Sequence, residues 1–360
     1  MQMNRLTEVI HREILAQGGV MPFARFMELA LYCPNLGYYE TKTDSVGRQG
    51  DFYTSVSVGS LFGQMLAYQF AEWLEALKTP NPQLVEAGAH NGQLANDILA
   101  WLQLNRPSLF EKLEYIIIEP SPLRQQWQRE TLKNFKVRRL SGFDSSTRFN
   151  GVIFSNELLD AFPVRHFGWE AREKKWFEWG VAADGERFIW TKFPAEPDDL
   201  PSAIHNLPPS LLEVLPDEYT IETNPAAENW WRTAANSLSS GKLMTFDYGL
   251  ADDELLSPSR KNGTLRAFFQ HRFADNILAN PGEQDLTAHV NFSTIQRAGE
   301  DSGLKTEFFF SQAKFLTQIL EKTAKNKNFG EWNSARARQF QTLTHPEHLG
   351  RAFRVLAQSR

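Results

Sequence analysis

Hydrophobic positions first recur at helical spacing and then change period. Leu6, Val9, Ile10 and Ile14 form one stripe between Met1 and Gln17, stopped by Gly18-Gly19, which predicts an amphipathic helix. A second stripe, Phe23, Phe26, Met27, Ala30 and Leu31, ends at Pro34. The stretch from Gly37-Tyr38-Tyr39 to Ser55 is glycine-rich, polar and aromatic. It is too long for a tight connection, and it reads as a functional loop. A long helix from roughly Gly59 to Leu77 closes this part at Pro80 and Pro82.

From Gln83 the rhythm becomes short apolar strands alternating with helices. Strands are expected at Leu84 to Ala87, Tyr115 to Glu119, Val137 to Leu140 and Gly151 to Ser155. Helices are expected at about Gln93 to Gln103 and Pro122 to Lys133, the latter with Ser121 as N-cap and Pro122 at its first position. Such alternation implies a parallel sheet covered on both faces. Between Val164 and Tyr219 it breaks into alternating, Trp-rich strands and a Pro-rich stretch, which read as an insertion. It resumes with a helix from Ala226 to Leu238 and a strand from Leu243 to Asp247. A polar loop region, about Gly249 to Asn291, precedes the last strands near Phe308 to Phe310 and Phe353 to Leu356. The expected organisation is a helical and lid-like part over 1–80, then an α/β domain over 81–360 with insertions at about 164–225 and 249–291.

Composition narrows the class of protein. The chain has 360 residues, 42% of them hydrophobic and 22% charged, enough for a large core and no case for disorder. A net charge of −5 argues against a general nucleic-acid binder. The single cysteine, Cys33, excludes an internal disulfide framework and a Cys-rich zinc site. No apolar run is long enough to span a membrane, and the N-terminus lacks a signal-peptide core, so the expected location is cytoplasmic.

Ligands of open parallel sheets bind beyond the carboxyl ends of the strands. After the first sheet strand comes Glu86-Ala87-Gly88-Ala89-His90-Asn91-Gly92, where glycines permit a sharp turn and the next helix offers unpaired N–H groups. Its spacing matches neither the dinucleotide fingerprint nor the P-loop. Glu119 ends the second strand, where a carboxylate can accept hydrogen bonds from ribose hydroxyls; a tight turn and a solvated acid would look the same. The fourth strand delivers Asn156, Glu157 and Asp160 to the same rim. If Leu158 starts a helical turn, the two acids face one way, whether for chemistry or for capping.

Several strings together carry a family resemblance. They are Pro34 to Tyr39, Gly50 to Ser55, Asn156 to Val164, Phe246 to Gly249, Gly263 to Arg266 and Pro281 to Val290. On these the chain resembles the MidA-like S-adenosylmethionine-dependent methyltransferases, which include an arginine-methylating assembly factor of respiratory complex I. The resemblance implies a class I methyltransferase, Rossmann-like and seven-stranded, with an antiparallel last strand. It implies S-adenosylmethionine as cofactor, with Glu86, Gly88 and Gly92 in the cofactor loop and Glu119 as ribose acid. Asp51, Thr54 and Ser55 lie in a loop closing over the cofactor. Asn156, Glu157 and Asp160 belong to the acceptor rim as catalytic residues, and Asp285 and His289 fall in a second matched loop. The expected acceptor is a protein arginine, a respiratory-complex subunit among the candidates, with no nucleic-acid partner and no membrane insertion.

One departure stands out. His90 occupies the place of the family's middle glycine, and Ala89 that of its proline. The competing reading is therefore a non-catalytic assembly or binding factor with impaired cofactor binding.

Overall fold

The computed structural model describes residues 4–41, 54–144, 146–195, 197–205, 207–257, 260–269, 272–324 and 329–360. The chain divides into two compact units. One comprises 1–45, 159–229 and 250–294; the other comprises 46–158, 230–249 and 295–360. In this division residues 46–80 fall with the parallel sheet, and both expected insertions fall almost wholly in the first unit, with residues 1–45.

Seven strands form the backbone of the sheet unit: β1 (Gln83–Ala87), β2 (Glu114–Ile118), β3 (Val137–Leu140), β4 (Phe149–Asn156), β5 (Leu238–Leu250), β6 (Lys305–Ser311) and β7 (Phe353–Ser359). They run in the order β6-β7-β5-β4-β1-β2-β3. Parallel pairing joins β5 to β4, β4 to β1, β1 to β2 and β2 to β3. Strand β7 lies antiparallel to both of its neighbours. Leu84, Val85, Ile116 and Ile117 are wholly buried, as expected of strands covered on both faces. Their cover includes the helix Leu61–Ala76, whose Phe62, Met65, Leu66 and Phe70 lose all exposure in the same core as Leu84, Phe154 and Phe246. The helix Pro122–Thr131 starts as the sequence predicts, with Ser121 Oγ accepting the Arg124 N–H at 3.4 Å and Pro122 inside its first turn.

The other unit holds an antiparallel sheet. Lys175–Asp184 pairs with Arg165–Glu170, Val20–Pro22 and Arg187–Pro194, and Arg165–Glu170 pairs in turn with Tyr219–Thr223. The Trp-rich alternation between Val164 and Tyr219 is this sheet: Trp169 and Trp176 are buried on it, with ring centroids 5.1 Å apart. The helices Arg5–Ala16 and Phe23–Tyr32 bury Leu6, Ile10, Ile14, Phe23, Phe26 and Met27 in a common cluster. Asn4 caps the first, its Oδ1 accepting the Leu6 N–H at 3.2 Å. A three-stranded sheet, with Arg266–Phe269 between Arg272–Phe273 and Asp285–Thr287, gives local order to the expected polar loop region.

The helical turn expected from Leu158 does not form. Glu157 takes a left-handed backbone with φ 53°, and the Leu158 N–H is drawn to Asp247 Oδ2 at 3.1 Å. Both choices divert the chain from a helical start, so helical spacing does not relate Glu157 to Asp160.

Candidate active site at the carboxyl edge of the sheet

Strand order reverses between β1 and β4, and open sheets bind ligands beyond such a reversal. Ala87 is level with Ser155 on one side and Ile118 on the other, and Asn156 is level with Phe246. The next residues along these four strands are Gly88, Glu119, Glu157 and Asp247. Topology thus delivers a glycine turn and three carboxylates to one edge.

The turn after β1 has an unusual backbone. Gly88, His90 and Gly92 have φ of 71°, 45° and 85°, alternating with residues of negative φ. Alternation of this kind curls the chain into a concavity lined by N–H groups. The Gly88 N–H is held by the carbonyl of Ile118 at 3.2 Å, and that of Gly92 by Ala89 at 2.7 Å. Neither glycine has room to spare: a Cβ on Gly88 would meet Leu158 Cδ1 at 2.8 Å, and one on Gly92 would meet Leu132 Cδ1 at 3.2 Å. Histidine is among the residues that best tolerate the left-handed region, so the departure at His90 keeps the backbone bend that glycine would supply. Burial, with Arg124 nearby, pushes the His90 imidazole down to about 4, so it is neutral at physiological pH.

Glu119 is 2% exposed. Its Oε1 accepts the Ser121 N–H at 3.0 Å, and its Oε2 accepts from Gln128 Nε2 at 3.3 Å. Across the edge, Asn156 Nδ2 donates to Glu157 Oε1 at 3.0 Å, while Asn156 Oδ1 is buried without a hydrogen-bond partner among the described residues. The Glu157 N–H is tied to the Phe246 carbonyl at 2.8 Å. A non-glycine residue held at positive φ by its neighbours is the kind of strain that collects at functional sites.

The other expected residues are placed as follows. Glu86 lies within β1, buried, with Tyr115 Oη donating to its Oε2 at 2.6 Å; burial pushes its carboxyl up to about 7. Thr54 Oγ1 accepts the Ser57 N–H at 3.2 Å, and Ser55 Oγ donates to Gln312 Oε1 at 3.1 Å, so both hydroxyls bond inside the sheet unit. Asp51 lies outside the described residues. Asp160 belongs to the other unit, where its carbonyl accepts the Ala288 N–H at 3.0 Å. In that unit Tyr39 Oη donates to Asp285 Oδ1 at 2.8 Å, and burial, with Asp285 and Tyr32 nearby, raises the Tyr39 phenol well above its ordinary value. His289 donates its backbone N–H to Thr264 Oγ1 at 3.1 Å, and burial pushes its imidazole down to about 4.

Sequence reasoning missed Gln128 and Asp247. Asp247 lay inside a matched string but without a role, and only the fold reveals that it holds the Leu158 N–H. Gln128 sits on the expected helix, and its spacing from Glu119 gave no reason to single it out.

This fold and edge define an α/β methyltransferase. Residues 65–310 match the family model of S-adenosyl-L-methionine-dependent methyltransferases, and the chain belongs to that family. A solved structure from Burkholderia thailandensis, bound to S-adenosyl-homocysteine, superposes with a TM-score of 0.86 at 33% identity, covering 99% of this chain and 92% of that one. Curated relatives are the mitochondrial protein arginine methyltransferase NDUFAF7 of Danio rerio, 28% identical over 80% of this chain and 70% of that protein, and its human counterpart, 28% identical over 78% and 66%. The cofactor is S-adenosylmethionine. The residues present fit it: the turn after β1 alternates left-handed backbone with residues of negative φ, Glu119 stands at the end of the adjoining strand, and Asn156 Oδ1 is a buried acceptor with no partner among the described residues.

The relatives also correct one expectation. They are mitochondrial proteins by name, which overturns the cytoplasmic location inferred from composition. A single cysteine suits any reducing environment, and the cytosol is not the only one. Among the described residues, no helix is long and apolar enough to cross a membrane.

Proposed function

We propose that the chain is a class I, Rossmann-like methyltransferase that methylates an arginine side chain of a protein. The observation that carries this reading is the strand reversal between β1 and β4, with Gly88, Glu119 and Glu157 at the three adjoining strand ends. The strand order, with β7 antiparallel, supports the class I reading. The names of the curated relatives support arginine as acceptor.

Bound S-adenosylmethionine supplies an electrophilic methyl group on a sulfonium centre. The protein's part is alignment, since in-line displacement depends on the approach of the nucleophile. Glu119 would accept the ribose hydroxyls, and the left-handed turn around His90, whose Gly88 and Gly92 N–H groups are already bonded within the chain, would cradle the rest of the cofactor. A neutral His90 would add no positive charge to the cofactor turn. A guanidinium stays protonated near neutral pH, so it must be gripped rather than deprotonated in advance. Glu157 is assigned that grip through fork-shaped hydrogen bonds, its carboxylate oriented by Asn156, and it receives the proton that the nitrogen sheds on methylation. Asp160, expected as a second carboxylate, falls in the other unit, and the grip is assigned without it. Asp51, Thr54 and Ser55 are assigned to the cofactor on the family resemblance.

The binding-only alternative draws on His90 and on the Trp-rich insertion; against it, His90 already holds the left-handed φ of 45° that a glycine would supply, and Trp169 and Trp176 are buried. The test is incubation with methyl-labelled S-adenosylmethionine and a cell lysate, followed by mass spectrometry of labelled polypeptides. Label on arginine is the expected result. Label on another residue or on small molecules alone would overturn arginine as acceptor.

A further inference from the structure

Gln128 occupies a position where an apolar side chain would be the simpler choice. It is wholly buried on the helix Pro122–Thr131, which packs against the cofactor turn closely enough that a Cβ on Gly92 would lie 3.5 Å from Gln128 Cα. Its Nε2 donates to the carbonyl of His90 at 3.0 Å and to Glu119 Oε2 at 3.3 Å. Those two acceptors fix the orientation of the amide, because a flipped amide would set its oxygen against a carbonyl and a carboxylate. The fixed amide leaves Gln128 Oε1 buried without a partner among the described residues, an unfavourable arrangement for a residue that served packing alone. What Gln128 joins is specific: the left-handed residue of the turn after β1 and the acid at the end of β2. These segments are far apart in sequence, and each is held by its own strand. The other amide of the same helix face, Gln125, donates only to the Glu119 carbonyl, at 2.9 Å, and does not touch the carboxylate.

We propose that Gln128 is a positioning residue that locks the Glu119 carboxylate to the His90 bend, and so sets how strongly the enzyme discriminates ribose hydroxyls in its cofactor. The proposal rests on Glu119 being the ribose acid. The Ser121 N–H holds one carboxylate oxygen and Gln128 the other, and the two together fix the plane that faces a diol; with the Gln128 bond removed the group can pivot about the Ser121 bond, and recognition of the hydroxyls falls before the rest of the cofactor contacts do. The coupling also ties the geometry of the turn to that of the acid, so a disturbance at His90 reaches Glu119 through one side chain.

Gln128→Met removes both donated bonds at nearly the same volume. Gln128→Glu keeps the shape, donates nothing when ionised and sets a second carboxylate against the first. Calorimetry with S-adenosyl-homocysteine and with its 2′-deoxyribose analogue measures the affinity ratio directly in the full chain, with thermal melting as the check on folding. The wild type is expected to prefer the hydroxylated ligand. Both variants should lose most of that preference, roughly tenfold in the ratio, while binding the deoxy analogue nearly as the wild type does; Gln125→Met should keep the ratio. Loss of affinity in equal proportion for both ligands would make Gln128 a structural residue and overturn the proposal, as would failure of both variants to fold. A wild type that binds S-adenosyl-homocysteine without any preference for the hydroxyls would overturn instead the assignment of Glu119, and a wild type that does not bind at all would overturn the functional reading itself.

Discussion

Glu86 gives the structure a pH-dependent stability that one substitution isolates. Its carboxyl is fully buried in β1, and burial raises it from 4.5 to about 7, although the bond from Tyr115 Oη opposes the rise. The folded protein therefore holds this proton more tightly than the unfolded chain does. The stability associated with the protonated form is fully present below about pH 4.5 and is lost as pH rises through about 7. At about 1.36 kcal/mol per pKa unit, the full loss is about 3 kcal/mol in alkaline solution and no more than about 1 kcal/mol near pH 5. Glu86→Gln stays neutral at every pH and still offers a carbonyl to Tyr115. Its amide introduces its own packing penalty, so the informative quantity is how the difference between mutant and wild type changes with pH. Urea unfolding at about pH 5 and about pH 9 should show the mutant gaining about 2–3 kcal/mol on the wild type between the two. A difference that does not change with pH would show that Glu86 is ionised, or hydrated, in the folded state, and would refute the argument.

Two further substitutions test the edge of the sheet. His90→Gly relieves a left-handed side-chain penalty of about 1 kcal/mol but enlarges the freedom of the unfolded chain by a similar amount, so stability measured by melting should be nearly unchanged, while S-adenosylmethionine binds roughly tenfold more tightly. Weaker binding in that variant would mean the imidazole contributes a contact. Glu157→Gln keeps the shape and removes the charge, so methyl transfer in a labelled assay should be lost while calorimetric affinity for S-adenosyl-homocysteine is retained; loss of that affinity would move Glu157 into the cofactor site.

Much of the sheet was legible because its strands are short, apolar on both faces and set off by helices with plain start signals. Ser121-Pro122 announces the helix that begins there, and the apolar run of Tyr115 to Ile118 leaves little alternative to a buried strand. The strand Val20–Pro22 was not legible, since three residues between two helices carry no period and the strand exists only through its pairing with Lys175–Asp184. Long-range pairing of this sort also explains why the Trp-rich stretch could be read as strands but not as a sheet closed by Tyr219–Thr223. At the edge of the sheet, the candidate acids could be nominated from strand ends, and the structure brings the ends carrying Gly88, Glu119 and Glu157 together. The expected helical turn at Leu158 failed for a reason no local pattern contains: the competing hydrogen bond comes from Asp247, on another strand. Gln128 was invisible on the same grounds, because its partners lie on two separate segments.

The central claim is that the edge at the strand reversal binds S-adenosylmethionine through Glu119. Calorimetric titration of the wild type and of a folded Glu119→Ala variant with S-adenosyl-homocysteine tests it most directly. The wild type should bind at one site, and the variant should lose about 2–3 kcal/mol of binding energy, as expected for charge-assisted bonds to two hydroxyls. Equal affinities in the two proteins, or a wild type that shows no binding at millimolar ligand, would contradict it.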